Sequence, residues 1–223
     1  MLNPGCLPGF TFSASTGAAC PVVPLATSTV AFSVVAPAQS VSMATSSVPV
    51  VPFYSQFDDI TSKKWKPAGC GITSLAMLIE YYKPKTVDVD TLLGEGLDAG
   101  AFSSKAGGWT YDGLIEVSQK YGLDGQAFDF GKESRKIALA WLSVSLMDGP
   151  VMASVHYKFD PKSKIPHLVV INGIDGDNVY YNDPASKEGG NLSLPLKDFL
   201  ASWKQRFIVI RPTTTEAPRV AMK

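Results

Sequence analysis

The sequence predicts an α+β domain preceded by a long uncharged segment, and three observations carry that prediction. No Asp, Glu, Lys, Arg or His occurs from Met1 to Phe57, and all 20 basic and all 20 acidic side chains lie from Asp58 onward. Between Cys70 and Met147 the apolar residues recur at helical spacing. From Val151 onward they come in short β-branched and aromatic runs separated by turn residues. Helices in one half of a domain and strands in the other indicate α+β rather than a parallel α/β layout.

Composition narrows the function classes. Charges of the two signs cancel, which argues against nucleic acid or an anionic membrane as the main partner. No run reaches the roughly 18 to 20 apolar residues of a membrane span. Three cysteines are too few for a disulfide scaffold, and a 45% apolar content supplies one sizeable core. Residues 1–47 are rich in Ala, Ser, Thr, Val and Pro without a sustained period, and read as a tail or linker with a short extended piece at Thr29–Val35. The apolar stretch Val30–Gln39 ends in Ala-x-Ala like a signal segment but lacks a basic residue ahead of it; an extracytoplasmic or secreted address rests on that feature alone. Cys6 and Cys20 either bridge or stay as thiols. The folded domain is expected over 48–212, with 213–223 as a flexible tail.

Within the domain, Val48–Gln56 is β-branched and proline-punctuated, as in an edge strand or an extended lead-in. Asp58–Pro67 is turn-rich. The helix opening at Cys70 stops near Lys83-Pro84, and its apolar residues Ile72, Leu75, Ala76, Leu78, Ile79 and Tyr82 form one buried stripe. Asp88 opens a short helix to Leu93, and the five glycines of Gly94–Gly108 mark a surface excursion. Thr110 caps a helix that Gly122 ends. Gln126–Phe130 alternates like a strand. Lys132–Met147 is an amphipathic helix, with Ile137, Leu139, Ala140, Trp141, Val144 and Leu146 as its apolar residues and Gly149-Pro150 as its stop. Strands follow at Val151–Tyr157, His167–Ile174, Val179–Asn182 and Phe207–Ile210.

One stretch organises the chemistry. Cys70 lies between two glycines at the mouth of a helix, where unpaired N–H groups and the positive end of the macrodipole favour a thiolate. A nucleophilic cysteine also needs a base, a group that orients the base, and donors for an oxyanion. Of the two histidines, His167 opens an apolar strand, whereas His156 ends one before a polar loop and stands at an odd separation from Asp183; His167 is the better base. The turn Asp175-Gly176-Asp177-Asn178 joins the His167 strand to one that ends at Asp183, as a β-hairpin. A three-residue connection sets Asp183 opposite Val169 and diagonal to His167 on the same face. A two- or four-residue connection sets them on opposite faces unless a bulge intervenes. Gln56 is the natural side-chain oxyanion donor, with the Cys70 N–H as the second. Singly, each residue has an ordinary reading: a buried thiol, a satisfied histidine, a turn Asp-Pro, a strand-end glutamine. Together they fill every role in one order along the chain. Trp109 and Tyr54 are candidates for lining the cleft.

The blocks Val-Pro-Phe-Tyr-Ser-Gln at 51–56, Gly-Cys-Gly-Ile-Thr-Ser-Leu-Ala-Met-Leu-Ile at 69–79, Gly-Gly-Trp-Thr at 107–110, Gly-Pro-Val at 149–151, His-Leu-Val-Val-Ile-Asn-Gly-Ile at 167–174 and Tyr-Asn-Asp-Pro at 181–184 resemble the bacteriocin-processing papain-like cysteine peptidases. They are most similar to the stand-alone peptidase C39-like domains. The chain departs from the pattern at Gly69 and Ile72, where many relatives have Asn or Asp before the cysteine and Pro two after it. The resemblance implies a papain-like fold, a helical half carrying the nucleophile and an antiparallel sheet carrying base and orienter. It implies Cys70 as nucleophile, His167 as base and acid, Asp183 as orienter and Gln56 as oxyanion donor, acting on a peptide or protein without a cofactor or metal. The sequence shows no attached transporter segments, so double-glycine leader specificity is not part of the expectation. Amide or acyl transfer, cell-wall peptide hydrolysis and non-catalytic peptide binding use the same residues and stay open, as does oligomeric state.

Overall fold

The computed structural model describes residues 48–213; the segment 1–47 with its signal-like stretch, Cys6 and Cys20 lies outside the described residues, as does 214–223. The chain enters as an extended lead-in through Ser55, turns at Gln56–Asp59, and makes a 3-10 turn at Lys66–Ala68 that runs directly into α1 (Cys70–Tyr82). Then come α2 (Val89–Asp98), the short hairpin β1 (Phe102–Ser103) and β2 (Gly108–Trp109), and α3 (Tyr111–Gln119). The remainder is β3 (Leu123–Asp129), α4 (Arg135–Met147), β4 (Val151–His156), β5 (Pro166–Asp175), β6 (Asn178–Asn182), β7 (Leu192–Pro195), α5 (Leu196–Ser202) and β8 (Trp203–Pro212). The long sheet is antiparallel throughout, in the order β3-β8-β4-β5-β6-β7. This is the expected α+β class.

Helix boundaries follow local chemistry. Asp88 accepts a hydrogen bond from the Thr91 N–H at 2.8 Å, and Thr110 and Ser134 cap α3 and α4 through the N–H groups of Gly113 and Ile137. Gly122, at φ +69°, terminates the α3 region as its left-handed conformation requires. Thr213 donates its N–H to the Gly122 carbonyl at 3.0 Å, so the end of β8 is tied to the same turn.

Both faces of the sheet are covered. Leu168 and Val170 of β5 pack with Met152, Ile208 and Ile210 against the helices α1, α2 and α3. Their neighbours Val169 and Ile171 pack on the other face with Ala153, Val155 and Phe207 against α4 and α5. The alternation of side chains along a strand thus feeds two cores, which is why β4 and β5 read as continuous apolar runs.

Several expectations change. Every residue of α1 from Gly71 to Ile79 is buried, not one stripe, because the helix is enclosed by the sheet on one side and α2 and α3 on the other. The supposed surface excursion from Gly94 begins as the second half of α2. Gly96 is buried there because the Trp109 ring comes within 2.8 Å of where a Cβ would stand. On α4 the sheet takes Ala138 and Leu142, an i, i+4 pair, and leaves Ile137 at 45% and Val144 at 41% exposure. β7 and α5 were not anticipated: α5 is short and Pro195 precedes it with no side-chain cap, so it lacks a start signal.

The β5–β6 hairpin decides the site. Asp175 pairs with Asn178, leaving a two-residue turn, which alone would put Asp183 on the wrong face from His167. A bulge at Asn172 shifts the register between Ile171 and Gly173, so that Val170 pairs with Asn182 and the continuation sets Asp183 beside Val169. Asn172 is buried, and its Nδ2 donates to Asn182 Oδ1 at 3.2 Å and Asn191 Oδ1 at 3.0 Å. Asn182 in turn donates to the carbonyls of Val51 and Pro52 and accepts from the Asn191 N–H at 2.6 Å. Replacing Asn182 by Ala strands several of these buried groups at about 1–3 kcal/mol each. Urea denaturation of Asn182→Ala is therefore expected to show a loss of about 3 kcal/mol or more, against about 0.5 kcal/mol or less for Met147→Ala, whose side chain is 83% exposed.

Candidate active site

Cys70 is the first residue of α1 and follows the 3-10 turn without a break, with Gly69 as the N-cap at φ −76°, ψ −8°. Close packing explains both flanking glycines. A Cβ at Gly69 would lie 2.4 Å from Ile60 Cδ1, and one at Gly71 would lie 2.7 Å from three atoms of Trp109. That indole is fixed by its Nε1–H, which donates to the Ala68 carbonyl at 2.7 Å, so it closes over the first turn of α1 and forms one wall of the cleft.

His167 and Asp183 meet as the bulged register requires: His167 Nε2 donates to Asp183 Oδ1 at 2.6 Å, and both residues are buried. The same carboxylate oxygen accepts the Ala185 N–H at 2.8 Å, which fixes the orienting group as well as the ring. With Nε2 engaged, Nδ1 is the ring nitrogen left for the hydrogen bond between His167 and the Cys70 sulfur. The Leu168 and Gly71 N–H groups also point at that sulfur. Tyr157 meets the imidazole edge-on, with ring centroids 5.2 Å apart. His156 is turned elsewhere, its Nδ1 paired with the Ser163 carbonyl at 2.6 Å.

Gln56 is buried and sits against Gly69, one residue before the cysteine. Its N–H donates to the Pro184 carbonyl at 2.8 Å, one residue past Asp183, and its Nε2 donates to the Lys66 carbonyl at 2.8 Å. Among the described residues one Nε2 hydrogen remains unused, and Oε1 is buried with no partner. Tyr54 corrects an expectation: its hydroxyl pairs with Glu80, on the third turn of α1 and remote from Cys70, so Trp109 lines the cleft and Tyr54 does not.

Electrostatics couple the sulfur and the ring. Burial pushes the Cys70 thiol up, but the hydrogen bond and charge of His167 and the two backbone N–H groups outweigh it, and the thiol lies below its ordinary 9.0. Burial lowers the His167 pKa, but Asp183 and the thiolate prevail and raise it to about 9. The two groups titrate as a coupled pair, in which the charged form of each favours the charged form of the other.

The cleft beside this pair has a volume of about 680 Å³. Its walls are the Phe102–Trp109 hairpin and Tyr111 on the helical side, and Ser154, Leu168, Lys204 and Arg206 on the sheet side. Tyr157, Lys204, Arg206 and the asparagine network were not foreseen. Positions so far apart in the chain meet only through strand pairing, and no spacing signal marks them.

An α+β fold in which a cysteine at a helix N-terminus faces a histidine on an antiparallel sheet is the papain-like arrangement. The chain belongs to the Peptidase_C39 like family, whose profile matches residues 49–207. Two solved structures share the fold. A double glycine motif protease from an AMS/PCAT transporter, in complex with the leader peptide, is 22% identical with a TM-score of 0.51, covering 76% of this chain and 96% of its own. A putative C39-like peptidase from Bacillus anthracis is 21% identical with a TM-score of 0.51, covering 74% of this chain and 96% of its own. Comparison with curated proteins finds no match. Among the described residues no helix is long and apolar enough to cross a membrane.

The pair has a distinctive pH signature. The imidazolium of His167 adds stability that is whole below pH 6.5 and lost as pH rises through about 9. The Cys70 thiolate adds stability that is whole above pH 9.0 and lost as pH falls through its lowered value. Where these windows overlap the two trends offset, so the pair shows in reactivity rather than in stability. Iodoacetamide labelling at Cys70 is expected to stay fast well below pH 9.0. In His167→Ala the rate should fall and its midpoint should move up towards or beyond the ordinary thiol value; an unchanged midpoint would contradict the coupling.

Proposed function

We propose that this chain is a cysteine peptidase that hydrolyses a peptide bond through Cys70, His167 and Asp183, with a thioester intermediate. The observation that carries this reading is the unbroken hydrogen-bonded line from the Cys70 sulfur through the His167 ring to Asp183, ending in an open cleft. A peptide as substrate accords with the leader peptide held by the transporter protease of like fold.

In the first half-reaction the Cys70 thiolate attacks the carbonyl carbon of the scissile bond. The carbonyl electron pair moves to oxygen, and this oxyanion takes hydrogen bonds from the free Nε2–H of Gln56 and the N–H of Cys70. His167 Nδ1–H gives its proton to the amine nitrogen, the C–N bond breaks and the amine leaves. A thioester between Cys70 and the acyl group remains. The neutral imidazole then takes a proton from water as its oxygen attacks the thioester carbonyl. A second oxyanion forms and collapses, the C–S bond breaks, the acid leaves and the thiolate–imidazolium pair is restored. Asp183 keeps Nε2–H engaged throughout, so that Nδ1 is the nitrogen that accepts and returns the proton. Gln56 is held for its part by the Lys66 carbonyl, which orients the amide with its second N–H free.

A mixed-peptide digest followed by mass spectrometry tests the reading. Wild type should cleave and Cys70→Ala should not; equal patterns from the two proteins would reject the peptidase assignment. Gln56→Ala should retain the alkylation rate of Cys70 while losing roughly 10²- to 10³-fold in kcat, the usual effect of removing one oxyanion donor.

A further inference from the structure

The sheet side of the cleft carries a charged feature that the hydrolytic machinery does not use. Lys204 and Arg206 both line it. β4 and β8 pair Val155 with Trp203 but Ser154 with Arg206, so Lys204 and Gln205 are extra residues on β8. Gln205 lies at φ +58°, a left-handed conformation that a glutamine adopts at a cost, and its carbonyl accepts the Phe130 N–H at 2.9 Å. The Trp203 Nε1–H donates to the Arg206 carbonyl at 3.1 Å and closes the bulge from the other side. Lys204 is therefore held at the cleft by a strained, hydrogen-bonded bulge.

Lys204 is partly buried, yet among the described residues its ammonium has neither an ion-pair nor a hydrogen-bond partner. Burial and the like charge of Arg206 both hold its pKa below the usual lysine value. The cleft's carboxylates do not answer it. Asp129 is committed to Arg206 Nε at 3.0 Å and to the Gly131 N–H at 2.9 Å, and Asp112 lies in the first turn of α3, whose N-terminal N–H groups suit an acidic side chain. Arg206 meets Asp129 through Nε, and among the described residues no hydrogen bond engages its outer nitrogens, which remain for a ligand.

We propose that Lys204 and Arg206 form a subsite for a carboxylate of the bound peptide, either a Glu or Asp side chain or a free C-terminus. The subsite rests on the peptidase reading above and gives it a substrate class: peptides carrying an acidic group near the scissile bond. A carboxylate there would supply the missing partner of Lys204, and the partly desolvated cleft strengthens such a charge-assisted contact.

The test uses the full chain as Cys70→Ala, which binds without turnover, and a set of fluorescein-labelled peptides of about ten residues. They are made as twins differing by one Glu-to-Gln change and as C-terminal acids or amides. The expected result is that one acidic form binds on the order of 10-fold more tightly than its neutral twin. The Glu/Gln twins and the acid/amide twins separately report which carboxylate is used. Adding Lys204→Met should bring the ratio to about 1, Lys204→Arg should keep it, and Lys204→Glu should favour the neutral twin. Equal binding of all twins, no measurable binding of any, or a preference that survives Lys204→Met would each overturn the subsite. Should Lys204→Met fail to fold, a salt titration of the Cys70→Ala ratio decides: a ratio that falls as salt rises supports it, and a salt-independent ratio overturns it. Turnover by the protein with Cys70 intact is scored separately. Selective binding without cleavage by that protein would reject the peptidase reading and leave the subsite standing.

Discussion

The site depends on one extra residue in a hairpin. A two-residue turn between β5 and β6 would carry Asp183 to the face opposite His167, and the 2.6 Å hydrogen bond between them exists because Asn172 bulges out of β5 and resets the pairing. A bulge leaves polar groups without ladder partners, and here the buried Asn172 amide N–H groups are taken up by the side-chain oxygens of buried Asn182 and exposed Asn191, while Asn182 Oδ1 also accepts the Asn191 N–H. Asn182 also grips the carbonyls of Val51 and Pro52. Gln56, a few residues further on, is tied to the Pro184 carbonyl just past Asp183. The same polar network that sets the Asp183 carboxylate beside His167 therefore also anchors the lead-in that carries the candidate oxyanion donor.

The second constraint is the seating of α1 on β5. Enclosure of α1 on every side leaves its N-terminus one position to occupy, and Ser74 Oγ–H donates to the Leu168 carbonyl at 3.1 Å to fix the axial register. Cys70 is then delivered to the His167 ring and the Leu168 N–H together. Burial by itself would disfavour both ions of the pair. Their mutual attraction, the Asp183 carboxylate and the N–H groups at the sulfur reverse that preference.

Irregularity in the sheet is concentrated where it meets the cleft. One bulge, at Asn172, aims a carboxylate at the imidazole; another, at Lys204 and Gln205, aims a cation at the space in front of it. Regular pairing in β3, in the centre of β4 and in most of β5 holds these two departures in fixed relation. Strained or mispaired positions persist when the surrounding structure over-determines them, and the two cores on either face of the sheet do so here.

The sequence by itself determined the fold class, the caps of α2 and α3, the α1 boundaries and the identity of Cys70, His167, Asp183 and Gln56 as a set worth testing. These are local matters: period, capping chemistry, turn residues, and the few side-chain types able to do the chemistry. Only the tertiary structure decided the rest. Whether Asp183 reached His167 turned on a bulge whose one local sign is Gly173, a glycine inside a strand pattern, and that sign does not say in which direction the pairing shifts. Which residues of α4 were buried turned on the sheet beneath it, not on the helix's own apolar content. Tyr54 left the cleft and Lys204 entered it for the same reason: strand pairing and helix packing bring together positions far apart in the chain, and that juxtaposition is written in no single stretch.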